Sequence, residues 1–223
     1  MKNYRFHRPS TTFILALLSG LCVCLLFARI SVLWSLGYIF LLWNLFLAWI
    51  PLWTVLLCGR AWQKQRIGKG GLLAGLVVWL LFFPNAPYLI TDLIHLRGAS
   101  DATLWFDALL IFSFALSGLL TGLYSLLWVQ RLVVRVWGAV WAWIGVPICL
   151  ILAGYGVYLG RFGRWNSWDI LSNPLGLVRY IAHSFVNPLA IQTTLAFALL
   201  LLLTYTAFWM FSMRQETDFQ VRK

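Results

Sequence analysis

The chain has 223 residues, of which 62% are apolar and only 10% are charged, with 17 lysines and arginines against 6 acids. Soluble domains are nearer to half apolar and a quarter charged, so this composition excludes a soluble globular protein. It also excludes a disordered chain and a nucleic-acid-binding protein, because the basic residues are not gathered in one polar segment. The sequence therefore predicts an all-α protein that lies in a lipid bilayer.

Membrane-spanning helices are expected where about 20 apolar residues follow one another. Six stretches predict a polytopic helical bundle that forms one integral membrane domain over residues 1–223, although five or seven spans stay open. Gly37 and Pro51 are expected to divide the long second apolar run, and Pro84 is expected to break the third helix. The predicted spans are 11–28, 38–58, 71–83 with the broken helix 85–96, 103–128, 137–160 and 189–211.

The basic residues predict the orientation, because cytoplasmic segments of membrane proteins are enriched in lysine and arginine. With the N-terminus inside, only five of the 17 basic residues fall on the outer side, and the others fall in the cytoplasmic segments. The sequence thus predicts a multi-pass protein of the cell membrane with both termini in the cytoplasm. The five outer residues are Arg29, Arg97, Arg161, Arg164 and Arg179.

Four of the six acids fall on the predicted outer side, within or next to apolar sequence. They are Asp92, Asp101, Asp107 and Asp169. Ionisable groups near hydrocarbon are costly, and they tend to be paired or functional. Asp107 lies about one turn into the fourth span and needs a partner, for which His95, Arg97, Arg161 and Arg164 are the nearest candidates by topology.

The first polar segment, residues 83–96, begins at the break in the third helix. Pro84 is expected to force Phe83 out of the α region, and Asn85 is expected to cap the helix that follows. Broken helices at membrane depth generally survive where they are buried in protein or line a cavity. This break therefore makes the segment a candidate for a site.

At 100° per residue, four side chains of this segment share one narrow polar stripe: Tyr88, Thr91, Asp92 and His95. Two interpretations stay open. In the first, the stripe is the water-exposed face of an interfacial helix, with Asp92 and His95 hydrogen-bonded to each other. In the second, it is a site where this pair binds a metal or shares a proton.

The second polar segment, residues 160–174, precedes an amphipathic interfacial helix predicted over 175–185. Asn166 with Asp169 three residues later is typical of a helix N-cap, and Asn173 before a proline predicts the next helix start. Arg161 and Arg164 lie on the outer side against the orientation rule. They could clamp a phosphate or carboxylate, or neutralise an acid.

Three motifs together resemble the bacterial multi-pass membrane family catalogued as domain of unknown function 1361. They are residues 43–51, 83–96 and 160–169, so the resemblance covers nearly the whole chain. Gly163 departs from the pattern, because a larger apolar residue is expected there, and this departure would loosen the link between Arg161 and Arg164. The resemblance implies the architecture and points to these motifs, but it implies no activity.

The leading hypothesis is a protein that binds or processes an anionic lipid or a lipid-linked phosphate at the outer face of the bilayer. It requires the two polar segments to meet there. Catalysis is assigned to Asp92, His95, Asp107 and Asp169, and ligand binding to Asn85, Tyr88, Arg161, Arg164 and Asn166. An accessory subunit of a membrane complex and a small transporter, with Asn44, Ser113, Ser117 and Thr121 lining its route, are the alternatives. Whether the protein is an enzyme, and which metal, cofactor or oligomeric state it uses, stay open.

Overall fold

A computed structural model describes residues 9–98 and 102–221, and the secondary structure in those ranges is entirely helical. The predicted all-α fold is therefore confirmed. The predicted cytoplasmic residues Lys2, Arg5 and Arg8 and the predicted outer acid Asp101 lie outside these ranges. The helices are α1 (Pro9–Leu33), α2 (Phe40–Gln63), α3 (Lys69–Phe82), α4 (Asn85–Tyr88), a 3₁₀ helix (Leu89–Gly98), α5 (Leu104–Trp137), α6 (Ala139–Arg161), α7 (Asp169–Ser172), α8 (Pro174–Ser184) and α9 (Pro188–Val221).

Six helical stretches are long and apolar enough to cross a membrane, which agrees with the predicted count. Several run further than predicted; the first, for example, continues through Arg29 to Leu33. The fourth extends to Trp137, about two turns beyond its predicted end. The six stretches are Thr11–Leu33, Phe40–Gln63, Lys69–Arg97, Leu104–Trp137, Ala139–Arg161 and Pro188–Ser212.

The chain divides into two compact units within α5. Unit 1 ends at Trp128 and contains α1 to α4, the 3₁₀ helix and most of α5. Unit 2 begins at Val129 and contains the end of α5 with α6 to α9. The predicted single membrane domain stays a prediction.

Helix α5 supplies much of the core of unit 1, and small residues let the broken third helix approach it closely. A Cβ atom added at Gly118 would lie 2.5 Å from a methyl carbon of Leu89, and one added at Gly122 would lie 2.6 Å from the Cβ of Ala86. The chain around the proline break therefore packs directly on α5. Backbone at this break is buried in protein, as broken helices in membranes require.

Two proline effects expected from the sequence are wrong. Pro51 lies inside α2 and does not divide it, because the helix continues to Gln63. Phe83 keeps α-helical angles (φ −56°, ψ −38°) although Pro84 follows it. The hydrogen bond from Phe83 N to Trp79 O, 2.8 Å long, holds Phe83 in the helix against the steric preference of a residue that precedes proline.

Asn85 does not cap the following helix, which contradicts the sequence expectation. No side-chain cap occurs at the start of α4, and the Asn85 amide Nδ2 instead donates to Phe82 O at 2.8 Å. This carbonyl loses its regular helical donor, because the Ala86 N–H bonds to Phe83 O instead, at 3.1 Å. Asn85 therefore stabilises the end of α3 and not the beginning of α4.

In unit 2, α6 packs against α9 at a glycine. A Cβ atom at Gly154 would lie 2.6 Å from Thr194 O and 3.2 Å from Ala198 N. The two helix backbones are therefore too close for a residue with a side chain at this position. Asn173 caps α8 by accepting from Gly176 N at 3.1 Å, as predicted. The predicted helix start after Asn173 is therefore confirmed.

Candidate functional site

The polar residues of unit 1 gather where α1 ends and α2 and α5 begin. We call this group the polar cluster: Arg29, Tyr38, Asn44, Asp92, His95 and Asp107. The side chains of Asp92 and Asp107 are buried, with exposed fractions of 1% and 0%. Unit 1 thus contains two hydrogen-bonded groups of predicted site residues, one around Asp107 and one around Asp92 with His95.

Asp107 forms a bidentate ion pair with Arg29. The Arg29 Nε lies 2.5 Å from one carboxylate oxygen, and Nη2 lies 3.1 Å from the other. Tyr38 donates to the same carboxylate at 3.3 Å, and its ring lies 4.2 Å from the Arg29 guanidinium carbon. A buried carboxylate that is paired so completely is neutralised where it lies.

Arg29 was absent from the predicted partners of Asp107, which were His95, Arg97, Arg161 and Arg164. The sequence suggested that Arg29 closed the first span from outside, but it lies within α1, four residues before its end. Because Asp107 neutralises it, the helix can continue past a charge to Leu33. The two residues are 78 positions apart, so no local pattern indicates the pair.

Asp92 is linked to α2 through an amide. Asn44 Nδ2 donates to its carboxylate at 2.9 Å, so Asn44 bonds to a neighbouring helix. The predicted bond between the side chains of Asp92 and His95 does not form. The His95 ring nitrogen Nδ1 instead lies 3.0 Å from the Asp92 carbonyl oxygen, and its ring lies 4.8 Å from that of Phe40.

The 3₁₀ geometry explains how Asp92 and His95 are placed. With three residues per turn, positions 89, 92 and 95 lie in one row along the helix. This row begins at buried Leu89, continues through buried Asp92 and ends at exposed His95. Tyr88 and Thr91 belong to another row, and the Thr91 hydroxyl bonds to the Tyr88 carbonyl at 2.6 Å. The stripe predicted for an α-helix is therefore divided between two faces.

The hydroxyls that a transport route would use are bonded within unit 1. Ser113 and Thr121 donate to the carbonyls of Leu109 and Ser117, both at 2.7 Å. Ser117 bonds to Ser19 at 2.9 Å, and these three residues of α5 are buried. These groups are satisfied by helix packing, so they do not support a polar path along α5.

In unit 2 the predicted site residues lie on the loop between α6 and α7. Asp169 accepts from Asn166 N at 2.7 Å and from the Ser172 hydroxyl at 2.8 Å. These bonds, first that from Asn166, lower the pKa of Asp169 from its usual value. The predicted N-cap at Asn166 is wrong, because α7 begins at Asp169 directly after Trp168 and has no side-chain cap; the carboxylate instead bonds back to the Asn166 backbone. Asp169 therefore holds its own loop in place.

Gly163 fits this loop closely, and the expectation that it loosens the link between Arg161 and Arg164 stays a prediction. A Cβ atom there would lie 2.7 Å from Cδ1 of Trp165 and 2.8 Å from both Leu159 O and a ring carbon of Tyr180. The Trp165 backbone N–H also donates to Leu159 O at 3.1 Å. The loop turns back over Gly163 and brings the Trp165 ring against it.

Two donors of this loop stand out. Arg164 is exposed and has a left-handed backbone (φ 56°), which carries the chain from α6 into the turn. The Trp165 ring nitrogen Nε1 is buried and has no hydrogen-bond partner in the ranges that the structure describes. An unpaired buried donor is costly, and such groups call for an explanation such as a bound water, ion or ligand.

Aromatic side chains attach this loop to α8. Tyr180 lies 6.0 Å from Trp165 between ring centroids, and its hydroxyl donates to that of Tyr158 at 3.4 Å. This hydrogen bond and burial raise the pKa of Tyr180 to about 12. His183 is exposed at the end of α8. Leu175, Val178 and Phe185 also expose their apolar side chains, as an interfacial helix requires.

The expected meeting of the two polar segments stays a prediction, because they belong to different units. Among the residues that the structure describes, no three histidine, cysteine or acidic side chains lie close enough together to hold a metal ion. The predicted metal and acid–base roles of Asp92, His95, Asp107 and Asp169 likewise stay predictions.

These features define a helical, multi-pass membrane protein whose polar groups gather near helix ends. Residues 43–207 match the family described as Protein of unknown function (DUF1361), and the chain belongs to this family. The family membership predicted from the three motifs is confirmed. No curated protein and no solved structure matches the chain.

Proposed function

We propose that this protein binds an anionic ligand, a lipid headgroup or a lipid-linked phosphate, at the loop between α6 and α7. The observation that carries the proposal is the buried indole N–H of Trp165, which has no acceptor within the described residues. The Trp165 ring packs against Gly163, and Gly163 lies between Arg161 and Arg164 in the sequence. A phosphate oxygen would accept from this donor while the arginines supply charge.

The surroundings of the loop support a ligand that arrives from the lipid. Trp168 and Leu171 are partly or largely exposed, and Leu175 follows them on the first turn of α8. Aromatic and apolar side chains next to cations are typical of the interface between headgroups and acyl chains. Asp169 keeps the loop in shape without blocking it, since its carboxylate bonds to Asn166 and Ser172.

Variants of single donors test this proposal. Purified protein is titrated with three probes, short-chain phosphatidylglycerol, farnesyl phosphate and inorganic phosphate, and binding is measured by native mass spectrometry. We expect Arg164→Gln to weaken binding about tenfold and Trp165→Phe about threefold, the losses expected for one charged and one neutral hydrogen bond. Preference for phosphatidylglycerol indicates a headgroup, and preference for farnesyl phosphate indicates a lipid-linked phosphate.

Matched controls use the same substitutions elsewhere. Arg66 is exposed in the α2–α3 loop, and Trp141 is exposed near the start of α6. Arg66→Gln and Trp141→Phe should leave the affinity unchanged. Equal affinities of the wild type, Arg164→Gln and Trp165→Phe for all three probes would refute the proposal.

We further propose that Asp92 and His95 carry acid–base chemistry within unit 1, whereas Asp107 and Asp169 have structural roles. Asp92 is buried beside an amide donor, and His95 is exposed one turn later, an arrangement suited to proton transfer between interior and surface. Asp92→Ala with His95→Ala should abolish a cellular phenotype of the gene while membrane expression stays normal. Loss of expression would instead indicate a structural role for this pair.

We infer that the protein lies in the cell membrane with both termini in the cytoplasm. The support is the distribution of lysine and arginine, which favours the segments near Arg60 and Arg131 over those near Arg97 and Arg164. Reporter fusions at Arg66 should report the cytoplasm, and fusions at Asn166 the opposite side. The reverse pattern would overturn this orientation.

A further inference from the structure

A second ligand site is indicated within unit 1, between α1 and α2 and remote in sequence from the loop discussed above. A cavity of about 270 Å³ is lined by Thr12, Trp53, Leu56, Leu57 and Arg60. This volume lies just below the range of about 300–1,000 Å³ that holds small molecules, so it suits part of one acyl chain and not a whole lipid.

The chemistry of the lining is strongly amphipathic. Three of the five residues are apolar or aromatic, and Trp53 and Leu57 expose their side chains to the surroundings. The Trp53 ring is held in place, because it contacts the rings of Phe46 and Trp49 at centroid distances of 5.7 and 5.9 Å. The wall is therefore preformed, which lowers the entropy cost of binding.

Two polar groups mark the headgroup end of this cavity. Arg60 is exposed in the last turn of α2, next to the basic loop that contains Lys64 and Arg66. The Thr12 hydroxyl is buried and has no hydrogen-bond partner in the described part of the chain. A hydroxyl in this state lacks an acceptor that a bound molecule would supply.

We propose that this cavity binds one anionic phospholipid from the leaflet next to the α2–α3 loop. An acyl chain lies between Trp53 and Leu57, the phosphate contacts the Arg60 guanidinium, and the Thr12 hydroxyl donates to a phosphate or ester oxygen. The charge of the α2–α3 loop favours an anionic lipid over a zwitterionic one, since basic residues near a membrane surface attract anionic headgroups.

The experiment measures lipid retention by the full chain in nanodiscs of phosphatidylcholine that contain a minority of phosphatidylglycerol. Native mass spectrometry after release counts the lipids that stay bound. We expect the wild type to retain one phosphatidylglycerol, Arg60→Gln to weaken retention about tenfold, and Thr12→Val, which keeps the side-chain shape, to weaken it about threefold.

Arg66→Gln is the matched control, because it removes a neighbouring exposed charge that does not line the cavity. It should reduce retention much less than Arg60→Gln, and Arg60→Gln should cause the same loss in the Arg164→Gln background, where the loop of unit 2 no longer contributes its charge. Equal losses for Arg60→Gln and Arg66→Gln would overturn the proposal in favour of general charge attraction. Equal retention of phosphatidylcholine, or no effect of either cavity variant, would overturn it as well.

Discussion

The two units place their acids in opposite environments. In unit 1, Asp92 and Asp107 are buried, and each bonds to a residue on another helix, Asn44 or Arg29. In unit 2, Asp169 begins the short helix α7 after a loop and bonds to groups three residues away. The difference shows that carboxylates near the ends of spans can connect helices in one unit and shape a loop in the other. Each arrangement also leaves one buried donor without a partner among the described residues, Arg29 Nη1 in unit 1 and Trp165 Nε1 in unit 2.

Breaking the ion pair of unit 1 should produce the largest effect. Arg29→Met leaves Asp107 buried without its cation, and removing one partner of a buried pair costs about 3–5 kcal/mol. We expect a large loss of thermal stability in detergent, measured by Trp fluorescence. The double variant Arg29→Met with Asp107→Leu should recover most of this loss, because it leaves no buried charge.

Arg66→Met serves as the control for this prediction, since Arg66 is exposed between α2 and α3. It should change the unfolding free energy by less than about 0.5 kcal/mol, as is usual for surface positions. If Arg29→Met is no more costly than Arg66→Met, the ion pair does not stabilise unit 1, and the contrast between the units fails.

Removing the hydrogen bond between Asn44 and Asp92 should cause the second-largest loss of stability. Asn44→Leu removes the amide that donates to the buried Asp92 carboxylate, and an unsatisfied buried group costs about 1–3 kcal/mol. The measurement is a double-mutant cycle on unfolding with Asp92→Leu. A coupling energy near zero would show that this hydrogen bond does not connect α2 to the 3₁₀ helix.

Sequence reasoning predicted what depends on local composition. The six apolar stretches and the cap at Asn173 both arise from residues close together in the sequence. It missed Arg29 as the partner of Asp107, because that contact joins residues 78 positions apart and depends on how α1 packs on α5. An arginine close to the end of an apolar stretch indicates an ion pair when an acid within another apolar stretch still lacks a partner.

The region after Pro84 shows a second limit of sequence reasoning. A period of 3.6 residues predicted one polar stripe, whereas the chain adopts a 3₁₀ helix over Leu89–Gly98. Periodicity cannot distinguish these helices over ten residues. Close packing of Ala86 and Leu89 on the glycines of α5 shows that tertiary contacts hold the segment against α5, whatever its local helical preference.

Adding a methyl group at Gly163 should have a smaller effect, confined to unit 2. Gly163→Ala brings a Cβ within 2.8 Å of Leu159 O, a backbone atom that cannot move freely. We expect a cost of about 1–2 kcal/mol from overpacking, and weaker binding of anionic probes because the Trp165 ring must shift. Gly20→Ala is the control, because nothing lies within 4 Å of its added Cβ. Equal stability of the two variants would contradict the close packing of the loop.

Protonation of Asp169 at low pH should have the smallest effect on stability of these changes. It should alter the loop of unit 2, in contrast to the ion pair that connects helices in unit 1. The pKa of Asp169 is lowered in the folded loop, chiefly by the hydrogen bond from Asn166 N. The contribution of ionised Asp169 to the free energy of unfolding is therefore complete above its unfolded pKa of about 3.9. This contribution is lost as the pH falls through the lower pKa of the folded loop. We expect the fluorescence of Trp165 and Trp168 to change only below about pH 4. Asp169→Asn should flatten this change, whereas Asn166→Ala should keep it, because the backbone N–H that bonds to Asp169 remains. A titration that persists in Asp169→Asn would show that another group holds the loop.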